Sequence, residues 1–483
     1  MLFNSFQFAI FFPIVFFVYW IFFNKTKNIQ NVFLLIVSYY FYSQWDYRFL
    51  FLLFSSTFID FISGILISRL ENNLKRKILF YFSICLNIGI LFFFKYCNFF
   101  VGSIEKAINL FGFKFDLWSL HIIIPVGISF YTFHGISYVI DVYKRKIKPE
   151  KSFVVYSLFV SYFPLLVAGP IERASHLIPQ LRNKRKFNYA NTVLGLRQVL
   201  WGLFKKMVVA DSVAIYVNQI FLNYENCDSS VLILGAFLFT FQIYGDFSGY
   251  SDIALGISRM LGIDLIKNFN FPYFSRDIAE FWRRWHISLS SWFRDYLYIP
   301  LGGSKGSKSQ RIRNTLIIFL ISGFWHGANW TFIVWGLLHA LYFIPVLLTN
   351  KNRNHLNIVA AGKKTPSIGD FFAIILTFSM VVFAWVFFRS VNVYQAFNYI
   401  SIIFTKKLFV FPETYFNSKL LIDLLLILFL VIVEWFGREN DFALQKFHIK
   451  INKFLRFIFY YIILYLILFY CSVKEQKFIY FDF

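Results

Sequence analysis

The chain has 483 residues, of which 58% are hydrophobic and 15% charged, and its formal net charge is +23. Soluble proteins average roughly 45–50% apolar and about 25% charged residues. The composition therefore excludes a soluble enzyme, a disordered chain and a secreted disulfide scaffold, and it predicts a polytopic membrane protein. The four cysteines have no CxxC spacing, so they indicate neither a metal ribbon nor a redox pair.

Apolar runs that could cross a membrane begin close to the first residue. A spanning helix needs about 20 mostly apolar residues. We expect about ten to twelve spans, because some runs are short enough to be re-entrant or buried. The first run lacks a basic preceding segment and a small-residue cleavage site, which favours a retained span over a signal peptide. The runs lie near 5–23, 31–44, 48–68, 78–95, 121–142, 153–169, 192–211, 230–245, 314–323, 331–349, 370–388, 419–436 and 454–473.

Basic clusters between these runs predict an orientation. They lie at 25–27, 69–77, 144–151 and 446–456. Lys and Arg are enriched in cytoplasmic loops. Alternating crossings then place the first three clusters in the cytoplasm and both chain termini outside.

Residues 242–330 interrupt the apolar pattern with polar side chains. Ionisable groups at membrane depth are costly and mark functional sites. One set recurs at intervals of three or four residues, which predicts a single polar stripe on a continuous helix. Its arginines could equally be anchors that reach lipid phosphates, but an anchor does not need an imidazole. The set is Glu280, Arg283, His286, Ser290 and Arg294.

Three further histidines lie in or beside apolar runs. His326 lies in GFWHGANW, where glycines on both sides allow the backbone to break, so it is either a buried core residue or a catalytic group. His134 lies within a run and is ambiguous. His339 follows His326 by 13 residues, which is about 220° around and roughly 20 Å along a continuous helix. We therefore expect His339 outside the site of His326 unless the helix breaks.

The tract 302–313 is rich in glycine and basic residues. It is either an ordinary cytoplasmic loop or a receptor for the phosphates of a cytoplasmic donor. Other motifs give no support for a serine hydrolase, a nucleotide hydrolase, a dinucleotide enzyme or a zinc protease, and no metal site is predicted. The basic side chains of the tract are Lys305, Lys308, Arg311 and Arg313.

The stretches 125–144, 163–181 and 241–342 resemble the membrane-bound O-acyltransferase superfamily. The resemblance is strongest to the branch with the alginate and peptidoglycan O-acetylation proteins, which also includes the teichoic acid D-alanyl transfer protein. His134 departs from this family, which has glutamine in the element FYTFHGISYV. The resemblance implies an all-α fold, with spans and re-entrant or interfacial helices around a central funnel or tunnel.

The same resemblance implies one membrane domain over residues 1–483 in the cytoplasmic (inner) membrane of a bacterium. Its expected parts are N-terminal spans at 1–120, a catalytic core at 121–349, C-terminal spans at 370–471 and an extracytoplasmic tail at 472–483. The implied donor is the substrate acetyl-CoA, with no bound cofactor. The implied partners are a polysaccharide acceptor and an extracytoplasmic transferase of the SGNH esterase type.

The family histidines fall on His326 and His286. We expect His326 to act as the general base, because imidazole titrates near pH 6.5, and His286 to orient a substrate or contact the donor. Arg283 and Arg294 are candidates for holding the donor. The expected cavity residues are Trp325, Asn329 and Trp330, with Asn329 helping to polarise the carbonyl.

The last six residues, FIYFDF, contain four aromatic side chains and resemble a C-terminal motif of this branch. Tyr480 is the only hydroxyl among them. The first hypothesis is that Tyr480 accepts the acyl group near His326 and passes it to the extracytoplasmic partner. The second is that these side chains only form an aromatic belt at the outer interface.

Alternatives of other classes remain open from the sequence. Intramembrane His, Arg and Asp also mark transporters, although we find no internal repeat that would favour one. A scaffold for a secretion complex is a further alternative. Within the acyltransferase reading, D-alanine could replace acetate, and alginate-like polymers, peptidoglycan, cellulose and secondary wall polymers all fit as acceptors.

Overall fold

A computed structural model describes residues 1–112, 122–167, 169–404, 415–471 and 479. Every regular element within these ranges is helical. This confirms the predicted all-α class of a polytopic membrane protein.

Seven helices in the described ranges are long and apolar enough to cross a membrane. The sequence predicted about ten to twelve spans. Part of the difference lies in Phe6–Ile21 and Phe153–Leu166, which are apolar but shorter. Another part lies in the run 314–323, which is embedded in a helix with a basic first turn, Lys308–His326. The seven candidates are Arg48–Arg69, Asn73–Leu110, Ser229–Met260, Trp330–Leu348, Ile368–Arg389, Ser418–Gly437 and Lys453–Tyr470.

The first compact unit comprises residues 1–192 and 258–265. Its core helices approach each other closely, since a Cβ at Gly135 would lie 1.9 Å from a carboxylate oxygen of Asp60. The helices are α1 (Phe6–Ile21), α2 (Lys27–Ser43), α3 (Arg48–Arg69), α4 (Asn73–Leu91), α5 (Cys97–Leu110), α6 (Ile128–Tyr143), α7 (Phe153–Ser161), α8 (Phe163–Leu166) and α9 (Ala174–Leu181).

The second compact unit comprises residues 193–257 and 266–483. Its core is aromatic and includes the fully buried Trp201, Trp285, Trp335 and Trp385. Two π-helical turns, Phe204–Ala210 and Arg294–Tyr298, interrupt its helices. These helices are α10 (Tyr189–Leu203), α11 (Asp211–Leu222), α12 (Ser229–Met260), α13 (Ile278–Arg284), α14 (Ile287–Phe293), α15 (Lys308–His326), α16 (Trp330–Leu348), α17 (Ile368–Arg389), α18 (Val393–Ile403), α19 (Ser418–Gly437), α20 (Phe447–Lys450) and α21 (Lys453–Tyr470).

Polar side chains fix where the helices of the second unit begin. Asp277 caps α13 and Asn329 caps α16, each by accepting a bond from a backbone N–H of the first turn. At α15, Ser307 and Gln310 cap each other reciprocally. Such caps satisfy N–H groups that have no partner inside the helix. The predicted division at 120, 349, 370 and 472 remains a prediction.

Candidate active site

Two short helices, α13 and α14, meet at His286. The residue has a left-handed backbone conformation with a φ of 42°. The N–H of Ile287 donates to the carbonyl of Asn268, which fixes the chain on the far side of the break. A left-handed residue other than glycine costs roughly 1–2 kcal/mol. The fold therefore retains an unfavourable backbone at this histidine, as often occurs at functional sites.

The single polar stripe predicted for 280–294 is wrong, because the helix ends before His286 and a second one starts after it. Because of the break, the five side chains of the predicted stripe have different surroundings. Glu280 is buried and accepts hydrogen bonds from the guanidinium of Arg284. Three other members line one cavity, namely Arg283, Ser290 and Arg294.

His286 is fully buried in a polar and aromatic setting. Its Nδ1 lies 3.3 Å from Oδ1 of Asn268, and its ring meets the ring of Phe247 edge-on at 4.7 Å. Burial lowers the pKa of His286 to about 3. The imidazole is therefore neutral at physiological pH, with one donor and one acceptor nitrogen. Its Nε2 has no hydrogen-bond partner among the described residues.

His326 is the last residue of α15, and the chain then turns back into α16. The two helices form an antiparallel hairpin with backbones in close contact. A Cβ on Gly323 would lie 2.2 Å from the carbonyl oxygen of Phe332, and one on Gly336 would lie 2.3 Å from that of Phe319. Only glycine permits this approach. The hairpin thus holds His326 in a fixed position with its side chain buried.

Aromatic rings surround His326. Its ring centroid lies 5.0 Å from Trp325, 5.1 Å from Trp335 and 5.5 Å from Phe388. The ring of His286 lies 6.5 Å away. The structure thus brings the two predicted histidines into one buried cluster.

His339 belongs to the same cluster, although a continuous helix would have excluded it. The break between α15 and α16 reverses the chain, so His326 and His339 both contact Trp335, the latter at 4.9 Å. Nδ1 of His339 accepts a hydrogen bond from Nε1 of Trp282 at 3.3 Å. Gly327 and Asn329, which follow His326, indicate in the sequence that the helix can end there. They do not indicate that the next helix runs back along the first.

A cavity of about 400 Å³ adjoins this cluster. Trp282 lines the cavity and also packs against Trp335 and His339. Ser322, which precedes His326 by about one helical turn, lines it as well. The cavity and the histidine cluster thus share a wall.

The two cavity arginines are held differently. Arg283 donates from Nη1 to the carbonyl of Asn352 at 2.6 Å and from Nη2 to that of His355 at 2.9 Å, so it clamps the loop between α16 and α17. Arg294 donates from Nε to the neighbouring Asp295 at 2.8 Å, and its side chain is 62% exposed. Arg294 is therefore the more accessible cation of the two.

Comparison with known proteins identifies the family. Residues 146–388 match the membrane-bound O-acyltransferase family. The probable alginate O-acetylase AlgI of Pseudomonas aeruginosa is 38% identical over 378 residues, which cover 78% of this chain and 70% of the relative. This chain belongs to the membrane-bound O-acyltransferase family. It is an O-acyltransferase, so the transporter and scaffold alternatives are set aside.

Two other relatives of this O-acyltransferase are named for different acceptor polymers. The peptidoglycan O-acetyltransferase of Helicobacter pylori is 36% identical over 426 residues, covering 82% of this chain and 78% of the relative. The teichoic acid D-alanyltransferase of Bacillus subtilis is 27% identical over 279 residues, covering 55% and 68%.

The other predicted cavity residues of the O-acyltransferase have distinct settings. Trp325 is buried and its ring lies 6.1 Å from that of His286. Asn329 accepts a bond from the N–H of Thr331 and donates to the carbonyl of Val391 at 2.7 Å, so it secures the start of α16. The second N–H of its amide nitrogen is the donor that a carbonyl-polarising role would use. Trp330 is 56% exposed.

The basic tract 302–313 of the O-acyltransferase is partly tied to its own surroundings. Asn314 donates to the carbonyls of Leu301 and Gly303 and accepts from the guanidinium of Arg313. Arg311 donates to Oδ1 of Asn350 at 3.2 Å. These bonds support an ordered loop, and its role with a donor remains a prediction.

His134 is buried in the first unit, where its Nε2 accepts the N–H of Glu172 at 3.0 Å. Tyr480 lies outside the described residues. Among the described residues, no group of three or more His, Cys, Asp or Glu side chains is arranged to hold a metal ion.

Proposed function

We propose that this enzyme transfers an acetyl group from cytoplasmic acetyl-CoA across the bacterial cytoplasmic membrane, for O-acetylation of peptidoglycan or an alginate-like polysaccharide. One observation carries the proposal. His326 and His286 lie 6.5 Å apart in a buried cluster that shares Trp282 with a cavity of about 400 Å³. The names of the relatives, alginate O-acetylase and peptidoglycan O-acetyltransferase, support acetate as the acyl group.

His326 acts as the general base. It takes the proton of the acceptor hydroxyl while the hydroxyl oxygen attacks the thioester carbonyl. The new C–O bond forms, the C–S bond breaks, and the proton passes to the departing thiolate. A positioned base contributes roughly 10²- to 10⁴-fold to such a step. The neutral His286 orients the reacting groups with its Nε2, and the surrounding aromatic rings exclude water from the thioester.

The cavity receives the donor. Arg294 is the cation that pairs with a phosphate of acetyl-CoA, because its guanidinium is largely exposed at the cavity. Arg283 acts through the loop that it clamps, since two of its nitrogens already donate to backbone carbonyls. The tract 302–313 adds positive charge on the donor side.

The acceptor inside the membrane is Tyr480, whose acetyl ester is then presented to an extracytoplasmic partner of the SGNH type. A phenol has a pKa near 10 and is a better leaving group than a sugar hydroxyl, so the tyrosyl ester can pass its acetyl group onward. Transfer of D-alanine to teichoic acid is the second candidate, favoured by the 27% identity to the Bacillus subtilis enzyme.

Purified protein with radiolabelled acetyl-CoA tests the proposal. We expect His326→Ala to lower acetyl transfer and donor hydrolysis by about 10²-fold or more. His176→Gln is the matched control, because His176 is half-exposed in the first unit and pairs with Glu172. A folded His326→Ala variant with wild-type turnover would contradict the assignment. Turnover with a D-alanyl thioester but not with acetyl-CoA would favour the second candidate.

A further inference from the structure

Buried charges join the turn before α11 to helix α12 in the second unit. Lys206 lies in the π-helical turn Phe204–Ala210, and its Nζ is 2.7 Å from Oδ1 of Asp211 and 2.6 Å from Oδ1 of Asp246. All three residues are at most 7% exposed. Asp246 lies on α12, a candidate membrane span, where an ionisable group is a functional hypothesis by default.

A residue from the far end of the chain meets this group. The backbone N–H of Ile479 donates to Oδ2 of Asp246 at 2.7 Å, across 233 positions of sequence. The side chain of Ile479 is buried in the apolar core of the second unit, together with Ile467 and Tyr470 of α21. One oxygen of Asp246 thus contacts Lys206, and the other accepts from the backbone at Ile479.

The adjacent pair Lys205–Asp252 provides an internal comparison. Nζ of Lys205 lies 2.6 Å from Oδ2 of Asp252, and Oδ1 of Asp252 accepts from Gln198 at 2.9 Å. Both oxygens are therefore engaged by side chains of α10 and the π-helical turn after it. Asp246 and Asp252 each pair with a lysine of the π-helical turn. They differ in that Asp246 also accepts a hydrogen bond from the backbone of Ile479.

The local backbone explains how two consecutive lysines are both buried against α12. Glycines of α12 let the turn Phe204–Ala210 approach closely. A Cβ on Gly249 would lie 3.0 Å from the backbone nitrogen of Lys206, and one on Gly245 would lie 2.8 Å from the carbonyl oxygen of Lys205. Single π-helical turns inside α-helices frequently occur at functional sites.

We propose that Asp246, held by Lys206, is the docking site for the C-terminal segment 472–483 and a positioning residue for Tyr480. A hydrogen bond to a charged acceptor is stronger than one between neutral groups, and it fixes the backbone one residue before Tyr480. Consecutive Cα atoms are about 3.8 Å apart, so the anchor restricts where the tyrosine hydroxyl can reach. The docking stands on its own contacts, and its consequence for acetyl transfer rests on the proposed function.

Thiol labelling of Ile479→Cys tests the docking. The native cysteines are first replaced by alanine, and labelling by a maleimide is normalised to the denatured protein. Asp246→Asn replaces one of the two acceptor oxygens with an NH2 group that only donates. The variant therefore cannot accept at both positions that Lys206 and Ile479 now occupy. We expect labelling at 479 to become about tenfold faster, as for the loss of one hydrogen bond to a charged group. Asp252→Asn is the matched control on the same helix.

Equal labelling rates in folded Asp246→Asn and Asp252→Asn would overturn the docking. If Asp246→Asn does not fold, Ile479→Pro tests the same bond from the other side, because proline has no backbone N–H. A cysteine in place of Asp482 then carries the label. Ile479→Val is its control, since it retains the N–H and the branched side chain.

The mass of the C-terminal peptide after incubation with acetyl-CoA tests the positioning role. We expect Asp246→Asn and Ile479→Pro to reduce acetylation of this peptide about tenfold, and Tyr480→Phe to abolish it. Unchanged acetylation in Ile479→Pro would overturn the positioning role. If the peptide of the unmodified enzyme carries no acetyl group, the proposed relay fails, and the labelling rates alone decide the docking.

Discussion

At the scale of single residues, the burial of His286 makes the stability of the protein depend on pH. An unfolded chain binds a proton at this histidine near pH 6.5, whereas burial lowers the pKa in the folded protein to about 3. Below pH 6.5 the unfolded state therefore binds more protons. The free energy of unfolding falls as the pH falls from about 6.5 towards 3, by about 2 kcal/mol at pH 5.

We therefore expect His286→Asn to lose less thermal stability than the unmodified enzyme between pH 7.5 and pH 5.0. The measurement is the Tm of detergent-purified protein, followed by tryptophan fluorescence. His176→Gln is the control with the opposite sign, because the hydrogen bond to Glu172 raises the pKa of His176. Its stabilising contribution is present at low pH and is lost as the pH rises. Identical pH dependence in His286→Asn and the unmodified enzyme would contradict the neutral imidazole.

The two cavity arginines should respond differently to neutralisation. Arg294→Gln removes an exposed cation, so we expect a rise in the KM for acetyl-CoA of about tenfold, the effect of one charge-assisted hydrogen bond, with little change in Tm. Arg283→Gln removes the clamp on two loop carbonyls, so we expect a lower Tm as well as weaker donor use. An unchanged KM in Arg294→Gln would contradict the donor contact and favour the alternative, in which Arg294 is a lipid anchor.

At the scale of helices, the sequence singled out His286 and His326, whose rings lie 6.5 Å apart in the structure, but it did not predict the helices that carry them. The histidines at 286 and 326 stood out because imidazole is unexpected in apolar surroundings. The helix break at His286 could not be predicted, because the polar residues keep a helical spacing through it. Bonds between positions that are not neighbours in sequence stabilise the break, among them those from Ile287 to Asn268 and from Asn270 to Arg284.

The hairpin of α15 and α16 is the clearest test of how an element positions the site. Gly336→Ala places a methyl group 2.3 Å from the carbonyl oxygen of Phe319, which we expect to cost about 1–3 kcal/mol as overpacking. It should also shift Trp335 against His326 and lower turnover. Gly89→Ala is the matched control, because nothing lies within 4 Å of its added methyl group. Equal Tm values for the two variants would contradict the close contact.

At the scale of the whole molecule, composition and the lengths of the apolar runs predicted the all-α membrane class. The number of spans was less predictable, because hydropathy does not distinguish a helix facing lipid from one buried in protein. The run near 230–245 belongs to α12, of which 72% of the most apolar stretch is buried inside the protein. The buried group at Lys206 could not be predicted, because one of its acidic partners, Asp246, is distant in sequence.

The orientation in the membrane is the last prediction, and the proposed transfer depends on it. Because the proposed transfer takes donor and acceptor from opposite faces, we expect the basic cluster 144–151 in the cytoplasm and the segment 472–483 on the outer side. We expect Asp482→Cys to react with an impermeant thiol reagent in intact cells and Lys148→Cys to react only after permeabilisation. Both substitutions require a background without the four native cysteines, two of which are exposed. Equal labelling of the two positions in intact cells would reverse the assignment of at least one face. Acetyl-CoA would then have to reach the cavity by another route.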